Sequence, residues 1–434
     1  MNPIDPAGSR LLAAFRADVL RGAPLPSTAI HPDDYMLRFF LAHHHGHWEG
    51  ALVDYFRSGF SAARTFDRLL RWRFGSRAGH LRLLDFASGF GRVTRFLVQH
   101  HPPRELWVSD IFAPAVDFQR QQLGVHGFVS ATEPAGVCCD ETFDAILVSS
   151  LFSHLPEESF VPWLRRLLAL LRPAGMLLFS VHDRSLRAIT GATGGEDGFA
   201  FTPVSEIPEL GGDSYGTSWV DEAFVCAAVR AAGGGDCRRL PRALWSFQDL
   251  YLVGTDELPE PPLFHEPIAY LEGSFRRGDR RSLVLHGWAH DPNGAGVQAI
   301  EARLEGELVA TVEPTDPRPD VKPFLGASTD AAVGWEVSVP AAAGLLAGEL
   351  MVSLTVTSRS GNSFFLHLGS VEGTELGLKL RNEAAARASA ETRADEARAH
   401  EELLAGEVAR MRASRFWKLR DAWWSLKGKA GLAR

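Results

Sequence analysis

Cysteine is scarce: four in 434 residues, at Cys138, Cys139, Cys226 and Cys237. That is too few for a disulfide framework, and no zinc-type spacing appears, so thiols in a reducing cytosol are expected and no metal. No run approaches the ~20 apolar residues that span a bilayer. The opening MNPIDPAGSR has no basic segment followed by an apolar stretch, so no secretory signal is read there. Neither sign of charge dominates. Forty-five Lys+Arg against 53 Asp+Glu leave a net charge of −8, which argues against a nucleic-acid clamp. What is present is an ordinary globular balance, 45% hydrophobic and 23% charged, in a chain long enough for two to four domains.

Four regions are expected. Residues 1–79 read as helices, with Leu11, Leu12, Phe15 and Val19 at helical spacing and a second helical stretch from about Asp33 through Leu70. Residues 80–258 alternate short apolar runs with amphipathic helices. Strands are expected at Leu81–Phe86, Leu106–Ser109, Gly127–Ala131, Ala145–Ser149 and Met176–Val181, with a closing antiparallel pair near Cys237–Leu240 and Asp249–Val253. Such alternation predicts an α/β fold, a doubly wound and mostly parallel sheet. Residues 264–370 follow a Pro-rich linker and carry short β-rich runs separated by Gly, Pro, Asn and Asp, the pattern of an all-β sandwich. Residues 372–434 have the Ala/Glu/Arg composition of a long helix or weak coiled coil.

The segment Leu83-Leu84-Asp85-Phe86-Ala87-Ser88-Gly89-Phe90-Gly91-Arg92 joins a buried strand to a helix through a glycine-containing turn. Gly89 and Gly91 lack the side chains that would block close approach of a ligand. A dinucleotide fingerprint would place a third glycine where Thr94 stands. Asp85 at the strand end suits a cationic group better than a pyrophosphate. The next strand ends in Asp110, placed to accept hydrogen bonds from ribose hydroxyls, with Ile111 and Phe112 offering an apolar wall.

These residues resemble the class I S-adenosyl-L-methionine (SAM)-dependent methyltransferases over about Tyr35 to Gly254. Phe143–Ser149 followed by Leu151–Pro156, and Leu170–Leu178 with its Arg-Pro-Ala-Gly turn, extend the likeness in order. The resemblance implies a seven-stranded sheet and SAM as cofactor. Asp85 to Gly91, with Phe86, Ala87 and Ser88, would hold the methionine portion, Asp110 the ribose, and Thr132 and Ser149 would complete the site. Two positions depart from the family: Ala87 replaces the usual first glycine, and Thr132 replaces an acid that meets adenine.

Methyl transfer requires two reactants to be positioned and can use a base. His154 and His182 follow the fourth and fifth strands, at the carboxyl ends where such sites lie; His182 is the preferred base, and packing is the alternative for both. His43 and His47 would share a helix face, read as solvated rather than metal-binding. Tyr55 and Phe56 are read as helix core or lid, and Phe199, Phe201, Tyr215 and Trp219 as pocket walls or packing. The β-rich region resembles sandwiches appended to bacterial surface-polysaccharide enzymes, and the tail resembles those of bacterial glycosyltransferases. In residues 411–434, Phe416, Leu419, Trp423 and Leu426 share a helical face beside many basic residues. That face suits an anionic membrane surface, a partner groove or self-association. The expectation is a cytoplasmic enzyme, peripheral at the inner membrane face, that O-methylates a saccharide or glycan-lipid. A small metabolite or lipid acceptor, or a non-catalytic scaffold, are the alternatives.

Overall fold

The computed structural model describes residues 6–413 and Ser425, apart from Pro24, Pro26, 187–197, Glu206, Pro208, 263–264, 278–281, 326–331 and 341–348. Three helices come first: α1 (Pro6–Asp18), α2 (Tyr35–His43) and α3 (Trp48–Phe74). The expected single stretch from Asp33 to Leu70 is therefore broken. His45 and Gly46 adopt left-handed backbone, and His47 caps α3 by accepting from Gly50 N. His43 and His47 consequently do not share a helix face. Among the described residues no group of three or more His, Cys, Asp or Glu side chains is arranged to hold a metal ion.

The strands that follow are β1 (Leu83–Phe86), β2 (Leu106–Asp110), β3 (His126–Val129), β4 (Phe143–Val148), β5 (Leu171–Asp183), β6 (Phe199–Thr202), β7 (Thr217–Val220), β8 (Cys237–Leu244) and β9 (Gln248–Gly254). Helices α4 (Thr94–Leu97), α5 (Ala113–Leu123), α6 (Glu157–Ala169) and α7 (Glu222–Ala231) lie between them. The sheet has nine strands rather than the seven expected. Its spine, β3-β2-β1-β4-β5, is parallel, and β9 pairs antiparallel with β5 and then with β8. The two unforeseen strands, β6 and β7, form a hairpin on the far tip of β5, where His182 pairs with Trp219. They are only four residues each, too short for periodicity to register.

Both faces of the sheet are buried, so successive residues serve different cores. Leu83, Leu147 and Leu178 face Phe56, Phe66 and Leu69 of α3. Leu84, Ile146 and Leu177 face Phe160, Leu164 and Val225 of α6 and α7. Strand order reverses between β1 and β4, which run parallel, and the crevice this opens at the carboxyl ends of the strands positions the site.

Residues 268–370 form two four-stranded sheets. One has the order β10 (Ile268–Arg277), β11 (Ser282–His290), β15 (Ala332–Val339), β14 (Asp316–Pro317); the other has β13 (Glu307–Val312), β12 (Val297–Leu304), β16 (Met351–Ser358), β17 (Ser363–Ser370). The inner core, with Leu285, Ile300, Trp335 and Leu354, closes between them. Strand β17 also lies on the N-terminal helices: Phe365 meets Phe15 edge-on at 6.0 Å, and Phe365 and Leu368 join the core of α1 and α3. Arg57 and Arg64 of α3 donate to the Leu366 and Ser363 carbonyls, and Glu49 accepts from Ser370 N at 2.9 Å.

A continuous helix runs from Val371 to Ala413. Residues 1–378 form one compact unit and 379–434 a second. The aromatic face expected in residues 411–434 falls outside the described side chains. No described helix is long and apolar enough to cross a membrane.

Candidate active site

A cleft of about 1060 Å³ opens over the carboxyl ends of β1, β2, β4 and β5. The turn after β1 makes its floor. Ala87, Gly89 and Gly91 take φ of 58°, 55° and 81°, so every second residue is left-handed. Gly91 must also be bare, since a Cβ there would stand 2.9 Å from the Gln119 side chain. Ala87 has no such freedom. An L-residue in this conformation costs roughly 1–2 kcal/mol, so the replacement of the usual glycine is strained rather than neutral.

Hydrogen bonds tie the turn to β2 and α5. Ser88 N donates to Ser109 O at 3.1 Å, and Gln119 Nε2 donates to Gly89 O and Ser88 Oγ at 2.8 Å. Asp110 is held at both oxygens: Gly89 N donates to Oδ2 at 2.9 Å and Phe112 N to Oδ1 at 3.1 Å. Each carboxylate oxygen retains accepting capacity toward the cleft. Asp85 lies deeper, 2% exposed, and accepts from Thr94 Oγ1 at 2.7 Å. Burial, only partly offset by the Thr94 hydrogen bond and the charge of Arg92, pushes its carboxyl up to about 7.

The N-terminal helices cover this end. The Arg95 guanidinium donates from Nε to Gly91 O (3.1 Å) and from Nη2 to Tyr55 OH (3.1 Å). Tyr55 in turn donates to Asp34 Oδ2 at 2.6 Å, while Asp34 caps α2. Tyr55 and Phe56 are both buried. His31 stacks on Phe90 at 4.5 Å, and Tyr35 meets Phe112 at 5.6 Å.

Phe86, Ala87, Ser88, Gly89, Asp110, Ile111, Phe112, Thr132, Ser149, His154 and His182, together with Asp85, all line the cleft; Gly91 does not. Ser149 Oγ is buried and has no hydrogen-bond partner among the described residues. Glu133, next to Thr132, also lines the cleft.

The two histidines have distinct surroundings although their rings lie 6.1 Å apart. His154 donates Nδ1–H to the Gly216 carbonyl at 2.7 Å and stacks on Tyr215 at 4.7 Å. A carbonyl can only accept, so the lone pair of the neutral ring lies on Nε2. His182 is arranged the other way: its Nε2 accepts from Gln248 Nε2 at 3.2 Å. Burial first, then the neighbouring His154, pushes the His182 imidazole down to about 4. Gln248 is itself set by Ser180 Oγ, which donates to its Oε1 at 2.7 Å. Asp183, beside His182, is engaged with Arg239 at 2.8 Å.

Several lining residues were invisible to sequence reasoning. Trp245 and Phe247 enter from the turn between β8 and β9, Arg92 from the glycine turn and Phe364 from β17 of the sandwich. Trp245 and Ser246 both have φ of 57°, a strained turn that no glycine announces. Of the expected pocket walls, Tyr215 and Trp219 line the cleft, whereas Phe199 packs against Phe224 at 5.0 Å.

The donor set fits the methionine and ribose portions of an adenosyl sulfonium. A buried carboxylate has no salt-bridge partner among the described residues, a second carboxylate is oriented by backbone N–H groups, and Gly89 in the turn between them leaves room for close approach.

Residues 84–177 match the family model described as a methyltransferase domain. No curated protein matches the chain at a significant level. Among solved structures, the chain is similar to the 1,6-didemethyltoxoflavin-N1-methyltransferase of Burkholderia thailandensis, with 20% identity over 54% of this chain and 95% of that one and a TM-score of 0.34. It is similar also to CalS10, an amino pentose methyltransferase from Micromonospora echinaspora, at 15% identity over 46% and 92% of the two chains, TM-score 0.35. A third is an S-adenosylmethionine-dependent methyltransferase from Clostridium acetobutylicum, at 12% identity over 46% and 91%, TM-score 0.32. Likeness at this level says nothing of the acceptor.

Proposed function

We propose that this class I SAM-dependent methyltransferase O-methylates a hydroxyl of a saccharide, with His154 as the general base. When bound, the cofactor supplies a methyl group on a positively charged sulfur, open to in-line attack by an oxygen lone pair. Asp85 and the 86–89 turn would hold its amino-acid portion and Asp110 its ribose.

The observation that carries the reading is the His154 Nδ1–Gly216 bond. It fixes the tautomer, so the lone pair that would take the hydroxyl proton lies on Nε2. The His182 lone pair is engaged by Gln248 and its basicity is depressed, which suits a neutral positioning residue. Flat ring faces at Tyr215, Trp219 and Phe247 suit the C–H faces of a sugar ring. The appended sandwich agrees with such an acceptor only through its resemblance. A small apolar metabolite is the second reading, favoured by Met36, Phe39, Phe40, Ile207 and Leu210 along the outer wall of the cleft.

The test compares His154→Ala with His182→Ala against a panel of nucleotide sugars and glycosides. Loss of a general base costs typically 10²–10⁴-fold, so the His154 variant should lose at least a hundredfold in kcat with cofactor affinity intact. The His182 variant should chiefly raise the acceptor KM. Equal kcat in His154→Ala and the parent would remove the base from the mechanism.

A further inference from the structure

Buried charges in folded proteins are paired or bound to a ligand, because an uncompensated one is costly. Arg92 breaks that rule. It is 9% exposed and lines the cleft, yet no carboxylate lies within salt-bridge distance of it among the described residues. Its Nη1 donates to Ser58 Oγ at 2.8 Å, its Nε has no partner, and its guanidinium carbon stands 4.8 Å from the Trp245 ring centre. A hydroxyl and an aromatic face soften the burial of a cation without neutralising it.

The surroundings hold the guanidinium in place. Gly59 of α3 lets the Arg92 backbone approach, since a Cβ there would lie 2.1 Å from the Arg92 carbonyl oxygen. Trp245 is pinned from the other side by its Nε1–H, which donates to Ser58 O at 2.8 Å. Phe364 of the sandwich lines the same cleft, with Arg57 5.4 Å from its ring centre. Arg57 is already matched by Asp54 at 2.7 Å, whereas Asp34 and Asp85 act on Arg92 only from beyond salt-bridge distance, so among the described residues its guanidinium has no direct anionic partner. From Trp245 the wall continues through Phe247, 5.2 Å from His182, to the histidine pair.

We propose that Arg92 is the anion-binding residue of the acceptor subsite, so that the saccharide carries a carboxylate or phosphate on the side away from the methylated hydroxyl. This rests on the saccharide reading above and narrows it to acidic sugars. Ser58, whose hydroxyl donates to Asp54 O at 2.6 Å while accepting from Arg92, would hold the guanidinium in place, and Trp245 would add a face against which the sugar ring can pack.

The experiment is titration calorimetry on the full chain saturated with S-adenosylhomocysteine. The probes are D-glucuronate, D-glucose 1-phosphate and, as the neutral control, D-glucose. Both or one of the anionic sugars should bind at least tenfold tighter than glucose; which one does so separates carboxylate from phosphate. Arg92→Gln should abolish that margin and Arg92→Lys restore part of it, while S-adenosylhomocysteine affinity stays within twofold in both. Should Arg92→Gln fold poorly, loss of the margin as salt rises in the parent protein tests the same charge. Two results overturn the proposal. One is glucose binding as well as the anions. The other is a tenfold loss of S-adenosylhomocysteine affinity in Arg92→Gln with 5′-methylthioadenosine unaffected, which would assign Arg92 to the cofactor's carboxylate. Because the readout is binding, anion selectivity without methyl transfer by any panel member would sink the O-methylation reading and leave this one standing.

Discussion

The two ends of the cleft are built by different rules. The end under α2 comes from one strand, one turn and the tip of the next strand, all within residues 83–112. Its polar groups are tied by short-range bonds: Gly89 N to Asp110, Phe112 N to Asp110, Thr94 to Asp85. The other end takes Arg92 from the edge of that turn and is otherwise gathered from α3, the β8–β9 turn, the β6–β7 hairpin and strand β17. A ligand common to many enzymes can be served by a compact local motif, whereas an individual acceptor is met by surfaces assembled from distant sequence.

The largest effect that would test this contrast is expected at Asp110. Asp110→Ala removes a carboxylate that is already oriented for hydrogen bonding, and charge-assisted bonds are worth roughly 1.5–3 kcal/mol each. Calorimetric titration of SAM should show affinity falling by about two orders of magnitude. Acidic-sugar binding should change little if the two ends are independent. A comparable loss at both would mean that the acceptor end forms only around bound cofactor.

A smaller, pH-dependent effect is expected at Asp85. Burial, only partly offset by the Thr94 hydrogen bond and the more distant Arg92, pushes its carboxyl up to about 7, and a cofactor ammonium requires it ionised. S-adenosylhomocysteine affinity should therefore rise as pH increases from 6 toward 8, by up to tenfold per unit below 7. Stability of the free protein moves the opposite way. Between about 4 and 7 the folded state holds a proton that the unfolded chain has released, so this group's contribution falls as pH rises. Asp85→Asn should flatten both slopes, and a binding profile that keeps its slope in that variant would assign the titration elsewhere.

The same division governs what the sequence made legible. The order of β1 to β5 with the helices between them, the closing β8–β9 pair and the loop from Asp85 to Gly91 follow from periodicity and glycine placement, both local signals. Cysteine scarcity and charge balance likewise needed no coordinates. Arg92, Trp245 and Phe364 could not be found that way, because what distinguishes them is the neighbour each meets across the fold. His182 shows the limit from the other side. Its position after β5 was readable, but its capture by Gln248, 66 residues on, was not. The β6–β7 hairpin escaped because four-residue strands carry no period, and the break between α2 and α3 because His45 enters left-handed backbone without a glycine's permission.

The smallest expected effect lies at Ala87, where a local rule is broken inside the local half. At φ of 58° its methyl group crowds the backbone, whereas Gly89 and Gly91 reach similar angles freely. Ala87→Gly should relieve roughly 1–2 kcal/mol of strain and surrender about 0.5–1 kcal/mol through greater freedom of the unfolded chain. The variant should thus be more stable by about 0.5–1 kcal/mol in urea unfolding, with little change in SAM affinity, because no side-chain hydrogen bond is lost. The reverse mutation in stability would carry a specific meaning. If Ala87→Gly is destabilised, the Ala87 methyl group contributes more through the partly buried contacts it makes with the core beneath β1 than its backbone angle costs. The turn would then be held by packing from below rather than by the conformational freedom of its glycines.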